Sequence, residues 1–339
     1  MQRCLDLAVK GIGHVAPNPM VGSVIVHEGK IIGEGHHQQF GGPHAEVNAI
    51  NSVSTELAHL LSESTIYVSL EPCSHHGKTP PCADLIIGKQ IPRVVIASDD
   101  PNPKVAGRGI QKLRDAGIEV ITGVLKAEAD FLNRRFMTYF LMHRPYIILK
   151  WAESADGLMA PDEPKQMWLT NDLSKKLVHQ WRSKEQAILV GKRTIEIDDP
   201  ELTVRLTNGK NPARVVIDRN LSLPLSKKIF YPNAAVYVFN ETKVGVEERI
   251  HFEKTDFGQP VIPQILDSLV AKQIQSVIIE GGPDTLRQFI DLNLWDEARI
   301  FTAPVQMGSG KPSPKISGKV ISECKLEGDR LKIILNKLA

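Results

Sequence analysis

The chain has 339 residues, 42% of them hydrophobic and 24% charged, with a formal net charge of +2. This is the composition of an ordinary globular protein with room for two domains, and it excludes a disordered, fibrous or collagen-like chain. No block of five like charges marks a nucleic-acid-binding arm, and no apolar run reaches the length of a signal-peptide core or a membrane span; the expectation is a cytoplasmic protein that binds neither nucleic acid nor membrane.

Leu5, Ala8 and Val9 recur at helical spacing and predict a helix over 2–10, closed by Gly11 and Gly13. The runs 21–26 and 30–35 flank His27-Glu28-Gly29 and read as a β-hairpin. Pro43-His44-Ala45-Glu46 opens a second helix. The β-rich run 65–70 is stopped by Glu71-Pro72, which leaves Cys73 at a strand end, and Cys82 follows Pro80-Pro81 at the start of a helix over 83–90. Runs at 93–97 and 118–121 then alternate with a helical stretch at 107–116, the pattern of a parallel sheet covered by helices. Loops gather at one edge of such a sheet. Candidates there are 16–20, the inter-cysteine loop with His75, His76, Lys78 and Thr79, and 99–103, although Pro, Asn and Asp also make plain turns.

His44, Cys73 and Cys82 form a metal-ligand set. One imidazole and two thiolates give zinc three protein ligands and leave a fourth position for water. H-x-E followed by P-C-x-x-C is the signature of zinc deaminases, in which the Glu is not a ligand; here the second half is wider, with eight residues between Cys73 and Cys82. Helix N-termini at His44 and Cys82 favour thiolates and hence the metal-bound form. Glu46 is placed to take a proton from water and return it to departing ammonia. Two plainer readings stay open at this point: a closed structural site completed by His75 or His76, and a Cys73–Cys82 disulfide, which the lack of a secretory signal disfavours. Cys4 and Cys324 stand alone near opposite ends and read as buried small hydrophobes.

Residues 123–143 read as one mostly helical stretch broken at Arg144-Pro145, so the domain boundary is placed between 1–143 and 144–339. Runs at 146–150, 187–190, 214–217, 235–239, 276–279 and 299–302 predict a second α/β sheet. In Gly281-Gly282-Pro283-Asp284-Thr285, a helix starting near Thr285 would offer free N–H groups to a phosphate, while tight strand–helix packing explains the glycines equally well. Gly191-Lys192-Arg193-Thr194 forms another strand-to-turn element, and no G-x-G-x-x-G follows the first strand.

The strings P-N-P-x-V-G from Pro17, P-H-A-E from Pro43, L-E-P-C-S-H-H-G-K-T-P-P-C from Leu70 and D-P-N-P-x-V-A-G-R-G-I from Asp100 resemble the deaminase half of the bifunctional riboflavin-biosynthesis deaminase/reductases. L-K-x-x-x-S-x-D-G at 149–157, W-L-T at 168–170, D-D-P-x-L-T-V-R at 198–205, V-V-I-D at 215–218 and E-G-G-P at 280–283 resemble the reductase half. The resemblance implies a cytidine-deaminase-like α/β/α domain followed by a dihydrofolate-reductase-like α/β domain. It also implies zinc and NADPH as cofactors and a phosphorylated pyrimidine as substrate, whose ring amino group is replaced by oxygen before its ribose is reduced to a ribityl chain. A homo-oligomer is expected.

Residue by residue, the resemblance places Asn18 near the ring and Lys78, Asp99 and Asn102 near the ribose phosphate. It implies Lys150, Arg182, Leu202, Arg205 and Glu280 as substrate contacts, with Gln166 added where a small hydroxyl residue is common. Ala152, Trp168, Thr194, Asp198 and the 282–288 turn (Gly282, Pro283, Asp284, Thr285, Leu286, Arg287, Gln288) become cofactor contacts. Arg219 stands where Ser or Thr is frequent and is left out, whereas the turn cations Lys192 and Arg193 are read as the groups that meet the 2′-phosphate of NADPH, with solvated turn residues as the plainer alternative. A nucleic-acid base deaminase would share the zinc chemistry but needs a basic single-strand channel. A non-catalytic zinc-stabilised binding protein would release no ammonia.

Overall fold

In the computed structural model, which describes residues 1–74 and 80–337, the chain separates into two units, Met1–His143 and Arg144–Ala339. The first contains α1 (Gln2–Ala8), β1 (Gly22–His27), β2 (Lys30–His36), α2 (Ala45–Asn51), β3 (Thr65–Leu70), α3 (Cys82–Gly88), β4 (Arg93–Ser98), α4 (Arg108–Asp115), β5 (Glu119–Thr122), α5 (Lys126–Leu132) and α6 (Arg134–Met142). Its strands lie in the order β2-β1-β3-β4-β5. β1 pairs antiparallel with β2 and β3, while β3, β4 and β5 run parallel.

Successive strand side chains point to opposite faces, and both faces of this sheet are apolar. Val24 packs with Cys4 and Leu7 of α1, and its neighbour Ile25 packs with Ala49 and Ile50 of α2. Ala97 joins Leu5 and Ala129, whereas Val94 and Ile96 join Ile86 of α3 and Leu113 of α4. The sheet is therefore covered by α1 and α5 on one side and by α2, α3 and α4 on the other. Parallel pairing of β3 with β4 brings Leu70 level with Ser98, so the residues after each strand emerge at one edge.

The second unit contains β6 (Tyr146–Glu153), β7 (Leu158–Ala160), α7 (Asp172–Arg182), β8 (Ala187–Gly191), α8 (Lys192–Asp198), β9 (Ala213–Ile217), β10 (Val236–Asn240), β11 (Gly245–Glu247) and β12 (Ile250–Lys254). It continues with α9 (Val261–Ala271), β13 (Ser276–Ile279), α10 (Pro283–Asp291), β14 (Glu297–Thr302), β15 (Lys311–Pro312), β16 (Lys319–Leu326) and β17 (Asp329–Leu335). The large sheet has the order β11-β12-β10-β9-β8-β13-β6-β14-β17-β16, and β7 pairs with β15. Strands from β12 to β14 in that order are parallel, with antiparallel partners at both edges. One face packs Leu149, Leu189 and Val277 on Ile265 and Leu269 of α9 and Phe289 of α10. The other packs Ile148 and Ile278 on Val178 and Trp181 of α7, and Val190 on Ile195 of α8.

Several expectations are corrected. The stretch 123–143 is two helices, because buried Asn133 between them pairs with the Met20 backbone, accepting from its N–H (2.8 Å) and donating to its carbonyl (2.9 Å). A long-range pair overrides the local helical period there. Lys192 and Arg193 lie in the first turn of α8 rather than in a loop. The helix expected near Thr285 starts at Pro283 with Gly282 as N-cap, proline's fixed φ suiting the first helical position. The β16–β17 hairpin and the 3₁₀ segment Thr55–Glu63 were not anticipated. β16 is exposed along most of its length, so it lacks the apolar alternation that marks a strand in sequence.

Each unit has its own sheet and core. A chain ending at His143 is therefore expected to fold alone and to bind one equivalent of zinc, checked by circular dichroism and metal analysis of the purified fragment. An insoluble or zinc-free fragment, beside a zinc-loaded full chain, would show that the first unit depends on the second.

Candidate active sites

His44 is the N-cap of α2, with extended backbone (φ −73°, ψ 167°), and Pro81 is the N-cap of α3, so Cys82 opens that helix. The Ala83 N–H donates to the Cys73 carbonyl (3.1 Å) and the Cys82 N–H to the Cys73 sulfur (3.3 Å), which ties the β3 end to the α3 start. His44 Nδ1 lies 3.5 Å from Cys73 Sγ and 3.3 Å from Cys82 Sγ, and the three donor atoms all fall within 4.8 Å of one another. A tetrahedral zinc ion has N···S edges of about 3.6 Å, given its ordinary bond lengths, so this donor set fits zinc. Cys73 and Cys82 are free thiols, which removes the disulfide reading; of the two cysteines expected to be buried, Cys4 is, whereas Cys324 is exposed on β16. His75, His76 and Lys78 lie outside the described residues.

A hydrogen bond from Cys82, reinforced by His44, pulls the Cys73 thiol down to about 4 against the effect of burial, and the same pairing pushes Cys82 up. The dithiol thus keeps one proton in the absence of metal. Glu46, buried in the first turn of α2, is pushed up to about 7 by burial and by the Cys73 thiolate. A bound cation acts in the opposite direction on that carboxyl.

Asn18 stands beside this cluster through His37. The Pro43 carbonyl can only accept, so His37 Nδ1 donates to it (2.9 Å), and burial keeps the ring neutral by lowering its pKa. His37 Nε2 then accepts from Asn18 Nδ2 (3.1 Å), leaving the Asn18 carbonyl oxygen free to point elsewhere. The His37 and His44 rings meet edge to face at 5.4 Å. Asp99 is exposed and lies 3.7 Å from Lys126, whereas Asn102 is half-buried in the turn it shapes with its own Oδ1, which accepts from the Lys104 N–H (3.1 Å).

In the second unit, Lys150, Gln166, Arg182, Leu202, Arg205 and Glu280 all line one cavity, joined by Trp168. An adjoining cavity shares Thr194 and Asp198 with it and gathers Lys192, Arg193 and the α10 start at Gly282, Pro283, Asp284, Thr285 and Gln288. The two glycines differ in purpose. A Cβ on Gly281 would sit 2.6 Å from Thr285 Cβ, so that glycine permits tight packing; a Cβ on Gly282 would meet only Thr194 Oγ1, at 3.8 Å, and its surface faces the cavity. Helix N–H groups, open space and two cations suit a polyanionic dinucleotide. Ala152, Leu286 and Arg287 do not line either cavity: Ala152 packs near Phe301, Leu286 is fully buried in the core, and Arg287 pairs with Asp284 at 3.0 Å.

Electrostatics organise the first of these cavities. Burial alone would raise the Glu280 carboxyl, but Arg182, bonded to both of its oxygens (3.1 and 2.8 Å), and Lys150, at 3.8 Å, hold it down at about 2. Burial lowers the Lys150 ammonium pKa, with Glu280 opposing.

Residues 1–98 match the family model described as the cytidine and deoxycytidylate deaminase zinc-binding region, and residues 145–336 match the RibD C-terminal domain. The riboflavin biosynthesis protein RibD of Aquifex aeolicus is 42% identical over 318 residues, covering 91% of this chain and 87% of that protein. The chain belongs to the RibD family. RibD of Escherichia coli is 37% identical over 328 residues, covering 91% of this chain and 88% of the relative. The crystal structure of a Thermotoga maritima diaminohydroxyphosphoribosylaminopyrimidine deaminase/5-amino-6-(5-phosphoribosylamino)uracil reductase superposes with a TM-score of 0.90 at 38% identity, covering 99% of this chain and 97% of that one. Acinetobacter baumannii RibD gives 0.90 at 33% identity, covering 98% and 97%. The chain is thus a RibD enzyme with a zinc-binding deaminase domain and a reductase domain.

Three RibD residues at these sites escaped sequence reasoning: His37, Glu71 and His179. His179 Nδ1 accepts the Arg205 N–H (3.0 Å), and burial, then Arg182 and Arg205, pull its pKa down to about 4, so it stays a neutral acceptor at pH 7. A His flanked by the buried Val178 and Trp181 of α7 carries no local signal of such a role.

Removing Arg182 leaves a buried carboxylate with Lys150 alone. Arg182→Ala should destabilise the reductase unit by about 3 kcal/mol. Because Glu280 in the folded chain titrates at about 2, below the value of about 4.3 expected unfolded, its stabilisation is present above the unfolded value and lost as pH falls toward 2. Acid unfolding of Arg182→Ala, followed by circular dichroism, should therefore begin at higher pH than in the parent, whereas Glu280→Gln should flatten that part of the profile.

Proposed function

We propose that the first unit hydrolytically deaminates 2,5-diamino-6-(5-phosphoribosylamino)pyrimidin-4-one at His44, Cys73 and Cys82, and that the second reduces the ribosyl side chain of the product to ribityl with NADPH. The observation that carries the deaminase half is the spacing of one imidazole nitrogen and two sulfurs as three corners of a zinc tetrahedron, with a buried carboxyl two residues from the imidazole. Zinc, when bound there, supplies an acidified water. Glu46 is the group that takes up a proton and returns one to the leaving amino group, so that the net hydrolysis would replace the ring amino nitrogen by oxygen and release ammonia. His37 holds the Asn18 amide toward the ring, and Asp99, Asn102 and Lys78 take the ribose phosphate. No helix among the described residues is long and apolar enough to cross a membrane, in keeping with a cytoplasmic enzyme acting on a small molecule.

In the second unit, NADPH supplies a hydride when bound. Gly282, Pro283, Asp284, Thr285 and Gln288 hold its phosphates and Thr194 and Asp198 stand where the two cavities meet, while Glu280, fixed by Arg182 and Lys150, orients the ribosyl chain. Glu46→Gln should retain zinc and lose deamination by a factor on the order of 10²–10⁴, measured as ammonia release alongside metal content. Normal ammonia release from the zinc-loaded variant would remove Glu46 from the mechanism.

The 2′-phosphate falls to Lys192 and Arg193 in the first turn of α8. Lys192 is already 3.3 Å from Glu196, so Arg193 carries more of the recognition. A charge-assisted contact contributes roughly 1.5–3 kcal/mol, or about ten- to a hundredfold in affinity. Replacing both residues by Ala should weaken NADPH binding by that factor, leave NADH binding nearly unchanged and flatten the salt dependence for NADPH, read by cofactor fluorescence titration at two ionic strengths. Equal losses for both cofactors would assign these residues to the helix and not to the phosphate.

A further inference from the structure

Glu71 has no part in the chemistry above, yet its carboxylate is placed with unusual completeness. The residue is 4% exposed. One carboxylate oxygen accepts the N–H groups of Asp100 (3.3 Å) and Gly107 (2.9 Å), and the other accepts those of Gly109 (2.9 Å) and Ile110 (3.2 Å). Gly107 is the N-cap of α4. The Gly109 and Ile110 donors therefore belong to the first turn, where no intrahelical acceptor exists and the helix dipole favours a negative charge. The approach is close enough to exclude a side chain: a Cβ on Gly109 would lie 1.9 Å from the Pro72 carbonyl oxygen.

These bonds join two parts of the deaminase site. Glu71 lies two residues before Cys73, and its own N–H donates to the Ser98 carbonyl at the end of β4 (2.9 Å). The Asp100 backbone it holds carries a carboxylate that accepts the Asn102 N–H (2.8 Å), and the Asn102 carbonyl in turn accepts from Val105 and Ala106 (2.8 and 3.0 Å). A continuous hydrogen-bonded path thus runs from the metal-ligand strand end to Asn102. Four donors converging on one group require an acceptor-only side chain. Glutamine would turn an NH₂ group toward two of the N–H groups.

We propose that Glu71 is a positioning residue of the deaminase: by closing the N-terminus of α4 and holding Asp100, it sets the placement of the Asp99–Asn102 loop relative to His44, Cys73 and Cys82. This rests on the reading that Asp99 and Asn102 meet the ribose phosphate. Glu71 acts on substrate binding through that loop and not on the metal.

The test uses the full chain with Glu71→Gln, Glu71→Asp, Asn102→Ala and the double variant Glu71→Gln/Asn102→Ala. Zinc content, thermal unfolding, and KM and kcat for ammonia release are measured for each. Glu71→Gln should keep its zinc and raise KM about 10- to 100-fold with a much smaller change in kcat, a factor of the size that loss of a hydrogen-bonded partner costs where it orients a ligating side chain. Glu71→Asp, which keeps an acceptor-only carboxylate, should recover part of the loss, and the double variant should be little worse than Asn102→Ala, because both changes act through one loop. Loss of zinc or of the folded unit in Glu71→Gln, or an unchanged KM in the zinc-loaded variant, would overturn the proposal. If Asn102→Ala leaves KM unchanged while Glu71→Gln raises it, the substrate reading of the loop fails, and with it the route proposed for Glu71.

Discussion

The first unit depends on bringing two cysteine sulfurs and one imidazole nitrogen to within a few ångströms of each other. Groups that compete for the same proton do not gather unless the backbone leaves them no alternative, and here the backbone does so from three directions. The end of β3 delivers Cys73, the start of α3 delivers Cys82, and the start of α2 delivers His44 with Glu46 two residues further on in the first turn. The hydrogen bonds between Cys82 N–H and Cys73 Sγ and between Ala83 N–H and the Cys73 carbonyl fasten two of these directions together before any ion is considered. The protein thus pre-forms the donor triangle, and zinc binding there would displace the protons that the sulfurs and the imidazole share.

Burial of charge is handled differently in the two units. In the deaminase, the buried Glu71 carboxylate is met by backbone N–H groups at a helix start, a neutral solution that leaves the nearby ionic chemistry to the metal ligands. In the reductase, the buried Glu280 is met by full cations, Arg182 and Lys150. One buried carboxylate between two cationic neighbours leaves net positive charge at that part of the cavity wall, whereas Arg205 is paired with Glu201 at 2.7 Å. An anionic sugar phosphate is the complement of such a wall.

Local signals carried far where the chemistry is short-range. The strand and helix runs of the first unit, the P-H-A-E and P-P-C punctuation and the glycines before α10 all act within one turn or one strand, so residue type and spacing were enough to find them. The expectation failed where a distant partner decides. Asn133 breaks a helix-like stretch because it serves Met20, more than a hundred residues earlier. Leu286 belongs to a segment that borders the second cavity of this unit, but α10 rotates that side chain into the core. Gly281 and Gly282 are identical in sequence and differ only in what stands opposite each Cβ position.

From the sequence alone came the two-part α/β organisation and the choice of a His and two Cys that the fold brings within ligand distance of one another. Through its family resemblance the sequence also named six residues, Lys150, Gln166, Arg182, Leu202, Arg205 and Glu280, that line one cavity of the second unit. The tertiary structure alone decided which groups hold those residues in place: His37 for Asn18, His179 for the Arg205 backbone and Glu71 for the loop after β4. The physical reason is the range of the interaction. Ligand and motif chemistry is written in neighbouring residues, whereas a side chain that satisfies a distant backbone N–H or amide has no partner in sequence until the sheet has formed.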